Sequence, residues 1–408
     1  MKSINGDRLV NRIKELGQIG RDAENRLTRT AATDADKAGR DKVVSWMRDA
    51  DLEVVVDRIG NIFGIWSTSE NEGKEAVMVG SHIDTVIDAG IYDGAYGVSS
   101  GIEVAKTLKE EGFKPSRPIV VGVFTNEEGV RYQPDMMGSL VFTGGLSVEE
   151  ALVAVGTDRT VIGEELERIG YAGEAEPGFI KPHAYVELHV EQGPVLANLN
   201  IPIGAVENLQ GISWQRVTVE GVANHAGTTP TSMRKDAGLA AAKIITFLRE
   251  LAENSGGSTV ATVGTIEFKP NAINVIPSQA TLTIDLREPN EEKLKKAEQA
   301  IEEYLKELER TDGVAITAER LARFEPVVFD ENIVKLIEEA AKKRGLQTRR
   351  MTSGAGHDAQ MMARICPTAM IFVPSVDGIS HSPKEFTRDS DLIAGANVLL
   401  DVVIELSK

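Results

Sequence analysis

Cysteine is almost missing from this chain of 408 residues: Cys366 is the single one. No disulfide can form within the chain, and metal sites built from several thiolates are excluded. Cys366 itself sits in RICPTAMIFV, where a small thiol packed beside a strand is the simple reading. Basic residues are also scarce, with 45 Lys and Arg against 62 Asp and Glu and a net charge of −17. A nucleic-acid partner needs a basic surface, so that class is set aside. No apolar run is long enough to span a bilayer. The start, MKSINGDRLVNRIKELGQIG, lacks the apolar core of a signal peptide and instead spaces Val10, Ile13 and Leu16 as a helix. The expectation is a cytoplasmic protein with neither a membrane nor a nucleic-acid partner.

What is present is ordinary for a globular protein, at 42% apolar and 26% charged residues. The length exceeds what one core usually serves, so two domains are expected. Thr33 and Asp34 are N-cap candidates for a helix burying Val43, Val44 and Met47. LEVVVDRIGNIFGIW reads as a hairpin broken at Gly60-Asn61. Three strands follow, in EAVMVGSH, RPIVVGVFTNEEG and HAYVELHVEQG, and each apolar run ends in polar, chemistry-bearing residues. Between the first two, Val98, Ile102, Ala105 and Leu108 mark a helix ending at Gly112. Unbroken apolar strands alternating with helices predict an α/β fold with a mainly parallel sheet flanked by helices.

From Gly211 the order becomes strand, helix, strand, strand, helix, strand, which fits a small ferredoxin-like α+β domain over 211–325. The α/β pattern then resumes with a helix at 331–343, the loop TSGAGHDA, the strand TAMIFV and the loop GISHSPKEF. Residues 1–210 and 326–408 are therefore expected to form one discontinuous domain.

Of the six histidines, all but His183 fall at strand ends or in glycine-rich loops: His82, His189, His225, His357 and His381. His183 follows Pro182 at a strand start and reads as structural. Glu127 and Glu128 are adjacent at a strand end, where both can face one site; two ionised carboxylates repel, and a dication would stabilise the pair. An exposed charged turn is the alternative. Asp93, with Gly94 beside it, is a carboxylate able to bridge two metals, and Asp84 can hold the His82 ring in one tautomer. Imidazole with carboxylate suits zinc, or manganese, cobalt or nickel. In the inserted domain His225, Asn274 and Arg287 make an anion cradle, although an ion pair with Asp285 or Glu288 would equally explain Arg287.

Taken together and in order, GSHIDTV…YDG, TNEEG, VELHVEQG, NHAGTTP, SGAGHDA and GISHSP resemble the amidase, hydantoinase/carbamoylase branch of the aminoacylase and carboxypeptidase-like dinuclear metallohydrolases. The resemblance runs from about Leu9 to about Leu399. It implies a zinc-exopeptidase-like catalytic domain, with 211–325 as a lid and dimerisation domain. It implies two divalent ions per subunit, His82 and His189 binding one, Glu128 and His381 the other, with Asp93 between them. Glu127 would be the general base. His225 would stabilise the oxyanion, and Asn274 and Arg287 would hold the substrate carboxylate. Gln192, His357 and the backbone at Gly356 would contact the ureido group or the transition state.

The activity this implies is hydrolysis of an N-carbamoyl-L-amino acid to the amino acid, ammonia and carbon dioxide, by a homodimer. Allantoate and β-ureidopropionate are the alternatives within the branch, and an aminoacylase or dipeptidase substrate lies outside it. A non-catalytic binding protein on the same fold is the reading from another class.

Overall fold

The computed structural model describes residues 2–408. They divide into two compact units, one running to Glu207 and resuming at Phe329, the other spanning Asn208–Val328. The expectation from sequence had set the limits of the insertion at 211 and 325.

In the first unit the strands in chain order are β1 (Glu53–Val56), β2 (Ile62–Trp66), β3 (Ala76–His82), β4 (Ile119–Phe124), β5 (Pro182–Val190) and β6 (Ile203–Leu209). β1 and β2 form the expected antiparallel hairpin, pairing Val56 with Ile62. β3 lies parallel to both β4 and β5. At the close of the insertion, β11 (Val327–Val328) pairs with Leu209 and Asn208, where the insertion begins at the end of β6. Beyond it come β12 (Thr348–Ser353) and β13 (Thr368–Val373), the latter parallel to β5 and antiparallel to β6. The parallel centre is thus β4-β3-β5-β13, with antiparallel strands at its margins. Every residue of β3, β4 and β13 is buried, which is why these strands read as unbroken apolar runs.

Helices seal the sheet. Ala95–Glu110 packs on β3, and Gly101 lets it approach so closely that a Cβ there would lie 2.9 Å from Val79 and 3.0 Å from Val121. The same helix buries Glu103 completely, where Arg8 and Arg12 of the helix Gly6–Leu16 hold it at 2.7 and 2.9 Å. The helix beginning at Asp34 is capped by Thr33, whose hydroxyl accepts the Asp36 N–H at 3.2 Å. Among the described residues no helix is long and apolar enough to cross a membrane.

The second unit contains β7 (Gly211–Glu220), β8 (Val260–Lys269), β9 (Gln279–Glu288) and β10 (Ala315–Phe324), in the antiparallel order β10-β7-β9-β8. With helices Ala237–Asn254 and Glu291–Asp312 this is a ferredoxin-like arrangement. Alternation on β9 is strict. Ala280, Leu282, Ile284 and Leu286 are buried in the core shared with Ile244, Leu248 and Ile301, while Asp285 and Arg287 point to the other face.

Candidate active site

The parallel strands deliver their polar ends to one edge of the sheet, where α/β proteins place their chemistry. His82 ends β3, in register with Phe124 at the end of β4. His189 is the penultimate residue of β5, opposite Phe372 of β13. Glu127 and Glu128 follow β4 in a tight turn whose Asn126 is left-handed at φ 57°. The Asn126 amide secures that turn by donating to the carbonyls of Tyr132 and Pro134 at 3.0 and 3.1 Å. Gln192 and His381 are left-handed as well, at φ 59° and 51°. Backbone strain of this kind concentrates at functional sites.

Asp93 is where the expected residues meet. Its Oδ1 lies 3.3 Å from His82 Nε2 and 3.1 Å from His189 Nε2. Its Oδ2 lies 3.3 Å from His381 Nε2 and accepts from Gln192 Nε2 at 2.8 Å. Glu127 Oε2 is 3.4 Å from His82 Nε2, and Glu128 Oε2 is 3.5 Å from His381 Nε2. Potential ligand atoms therefore gather as His82, Asp93 and His189 on one side and Asp93, Glu128 and His381 on the other. Gly94 makes room for this, since a Cβ there would come within 2.5 Å of the His82 ring.

The donor chemistry calls for a cation. His82 Nδ1 faces the Asp84 carbonyl at 3.0 Å and His189 Nδ1 the Val190 carbonyl at 2.8 Å, so each ring carries its proton there. Gly94 N–H donates to His189 Nε2 at 3.2 Å, which requires a lone pair on that nitrogen. Two Nε2 lone pairs are thus aimed at carboxylate oxygens, an arrangement that only a proton or a metal ion relieves. Glu128 Oε1 and Gln192 Oε1 are buried with no hydrogen-bond partner among the described residues. Asp93, Glu127, Glu128, Gln192 and His381 line a cavity of about 150 Å³ that has no Lys or Arg in its wall. The residues fit a pair of divalent ions.

Protonation follows the same logic. With a proton in place of an ion at these rings, hydrogen bonds from His189, His381 and His82 outweigh the burial of Asp93 and hold its carboxyl well below the ordinary range. Burial drives Glu127 well above that range despite His82, with Glu128, Asp358 and Asp93 adding repulsion. Burial followed by the charge of Asp93 pushes Glu128 up to about 8. Such a divergence between neighbouring carboxyls marks candidate acid–base groups.

Other expected residues take different places. The carboxylate of Asp84, expected to orient His82, is 3.8 Å from the ring. The backbone carbonyl of Asp84 does that work, because the chain turns directly after β3. The carboxylate instead accepts the N–H groups of Glu127 and Glu128, each at 3.2 Å, and so fixes the turn that presents them. His357 is buried beside the His189 ring, with its Nε2 3.0 Å from Ser353 Oγ. Gly356 and His357 both line the cavity. His225, Asn274 and Arg287 belong to the second unit. There His225 is exposed, its Nδ1 accepting from Gly227 N–H at 2.9 Å, and Asn274 accepts the Ala226 N–H through its carbonyl. Arg287 is paired with Asp285 at 2.9 Å, the ion pair weighed as its alternative. Asp88 is left-handed at φ 54° and donates its N–H to Thr28 Oγ1.

Sequence reasoning missed three buried charged residues around the site. Glu187 accepts from Ser81 Oγ and Ala359 N–H, both at 2.7 Å, tying β5 to β3 and to the turn after His357. Glu385 accepts the backbone N–H groups of Tyr92 and Asp93. Arg29 is 1% exposed, and its guanidinium donates to three carbonyls, that of Ile83 at 2.8 Å and those of Leu16 and Ile19 at 2.9 and 2.7 Å. Burial pulls its guanidinium down to about 10, which leaves it charged at neutral pH. Arg29 thereby pins the peptide between His82 and Asp84. Each carbonyl stripped of its donor costs on the order of 1–3 kcal/mol. Arg29→Leu is therefore expected to lower the midpoint of urea unfolding strongly; an unchanged midpoint would contradict this account of Arg29.

Residues 78–405 match the peptidase family M20/M25/M40. The chain is 38% identical to the N-carbamoyl-L-amino-acid amidohydrolase of Rhizobium meliloti over 407 residues, 100% of this chain and 98% of that one. A ureidoglycolate hydrolase of Arabidopsis thaliana is 35% identical over 99% of this chain and 87% of its own. Among solved structures, a hydantoinase/carbamoylase family amidase from Burkholderia multivorans matches with a TM-score of 0.96 at 38% identity, covering 99% of this chain and 98% of that one. The protein belongs to the M20/M25/M40 peptidase family, among its hydantoinase/carbamoylase amidases, and is a hydrolase of carbon–nitrogen bonds in linear amides.

Proposed function

We propose that this enzyme removes the carbamoyl group of an N-carbamoyl-L-amino acid, releasing the L-amino acid, ammonia and carbon dioxide. The observation that carries the reading is the sharing of Asp93 between two ligand groups; Glu127, which also gathers with His82 and Glu128, takes the role of base. The substrate class comes from full-length similarity to the Rhizobium meliloti amidohydrolase.

His82, Asp93 and His189 would hold one divalent ion, and Asp93, Glu128 and His381 the second; zinc, manganese, cobalt or nickel suits such donors. When bound, such a pair polarises the scissile carbonyl and acidifies water. A ureido carbonyl needs that help, because two nitrogens donate into it. Glu127 takes the proton from the attacking water and returns it to the departing nitrogen. Gln192 Nε2 is committed to Asp93, which leaves its Oε1 to accept a ureido N–H. The backbone at Gly356 and the ring of His357, which line the same cavity, would contact the ureido group or the transition state. From the second unit, His225 would stabilise the oxyanion, and Asn274 and Arg287 would bind the substrate carboxylate, with that unit acting as a lid. We further place the enzyme in the cytoplasm as a homodimer joined through the same unit. Sedimentation as a single chain would remove the dimer from this reading.

For Arg287, bidentate recognition of a carboxylate means exchanging Asp285 for the substrate. Arg287→Ala is expected to raise KM for carbamoyl amino acids by roughly tenfold or more with kcat little changed, a loss of binding common to ground and transition states. Steady-state kinetics at fixed metal decides it, and an unchanged KM would contradict the assignment.

The Arabidopsis ureidoglycolate hydrolase favours a second reading, a ureide such as allantoate. Ammonia release from a panel of N-carbamoyl-L-amino acids, N-carbamoyl-β-alanine, allantoate and ureidoglycolate separates the two. Highest kcat/KM on a carbamoyl-L-α-amino acid is expected. A preference for allantoate or ureidoglycolate would replace the first reading by the second.

A further inference from the structure

Glu385 lies four residues beyond His381, is 6% exposed, and has no part in the steps above. Its Oε2 accepts the backbone N–H groups of Tyr92 and Asp93 at 3.0 and 3.3 Å. Its Oε1 accepts the Ser380 hydroxyl at 3.1 Å. These partners lie on two loops distant in sequence: one presents Asp93, the other presents His381 from a left-handed backbone at φ 51°. Gly90 leaves the space that the carboxylate fills, since a Cβ on Gly90 would overlap the Glu385 side chain.

We propose that Glu385 is a positioning residue that straps the Asp93 loop to the His381 loop, setting the gap in which the second divalent ion is held. The inference rests on the reading of Asp93, Glu128 and His381 as ligands of that ion. It does not depend on the charge of Glu385. Two peptide N–H groups converge on one oxygen and a hydroxyl meets the other, a task that a carboxamide can also perform because the Ser380 hydroxyl can turn to accept. The other ion is less exposed to the loss of this strap, because His82 and His189 are fixed by β3 and β5 and by the carbonyls behind their Nδ1 atoms.

The test is a metal titration of the full-length protein. Wild type, Glu385→Ala, Glu385→Gln and Gly90→Ala are stripped with a chelator, checked for folding by circular dichroism, and titrated calorimetrically with Mn²⁺. The Co²⁺ absorption spectrum provides a second readout. Groups that orient ligands without touching the metal are worth roughly 10–100-fold in affinity. Glu385→Ala is expected to weaken the second binding event by that much, leave the first unchanged, and regain turnover in excess Mn²⁺. Gly90→Ala, which displaces the same carboxylate without altering it, is expected to do likewise, and it decides the matter if Glu385→Ala does not fold. Glu385→Gln is expected to bind both ions as wild type does. Wild-type affinity for both ions in Glu385→Ala or Gly90→Ala would overturn the inference, as would Glu385→Gln behaving like Glu385→Ala. Wild type that takes up fewer than two ions would overturn the proposed function first, and this inference with it.

Discussion

Glu127→Gln is expected to lower kcat by roughly 10²–10⁴-fold, the worth of a positioned general base, while the protein keeps its full metal content. The side chain is 8% exposed and lines the cavity, with its Oε2 3.4 Å from His82 Nε2. Burial and its carboxylate neighbours raise its proton affinity, so it can hold a proton that an ordinary glutamate would release. The amide keeps shape and hydrogen-bonding reach but cannot accept a proton. Metal analysis beside steady-state kinetics separates the roles. A variant with unimpaired kcat would remove Glu127 as the base, and one that loses metal would make it a ligand instead.

Asp93→Asn is expected to act through the metals. Three imidazole nitrogens surround this carboxylate, and one negative charge is shared by both ligand groups. The amide preserves the volume and removes the charge, and its NH₂ would face either a ring nitrogen or a neighbouring donor. Loss of at least one bound ion is expected, with kcat/KM down by more than about a hundredfold, beyond the usual effect of altering a group behind a ligand. Gln192 would lose the acceptor that orients its amide, so substrate binding is expected to suffer as well. Two bound ions together with normal kcat/KM would contradict the central place given to Asp93.

Sequence patterns revealed elements whose periodicity is long or whose apolar run is unbroken. The helix Glu331–Lys343 and the strand Thr368–Val373 have the limits expected for them. Other elements went unread. Val148–Leu152 and Val195–Leu199 are five residues each, too short for a helical stripe to repeat. β6 and β12 lie away from the parallel centre and carry polar or half-buried positions that break the apolar pattern.

The same contrast holds within the site. Side chains that gather around Asp93 were visible because histidines and carboxylates at strand ends are conspicuous and stand in recognisable motifs. Their supports were not. Arg29 and Glu385 act on peptide groups remote in sequence, and nothing in LTRTAATD or SPKEF announces a buried partner. Asp84 shows the limit most plainly. Its spacing from His82 was legible, but whether carbonyl or carboxylate meets the ring depends on how the chain turns after β3.

The most direct test of the two-metal reading is to follow amino acid release from an N-carbamoyl-L-amino acid as metal-stripped enzyme is titrated with Mn²⁺. No turnover without metal and a plateau at two equivalents per chain are predicted. Full turnover in the stripped enzyme, or none at two bound equivalents, would contradict it.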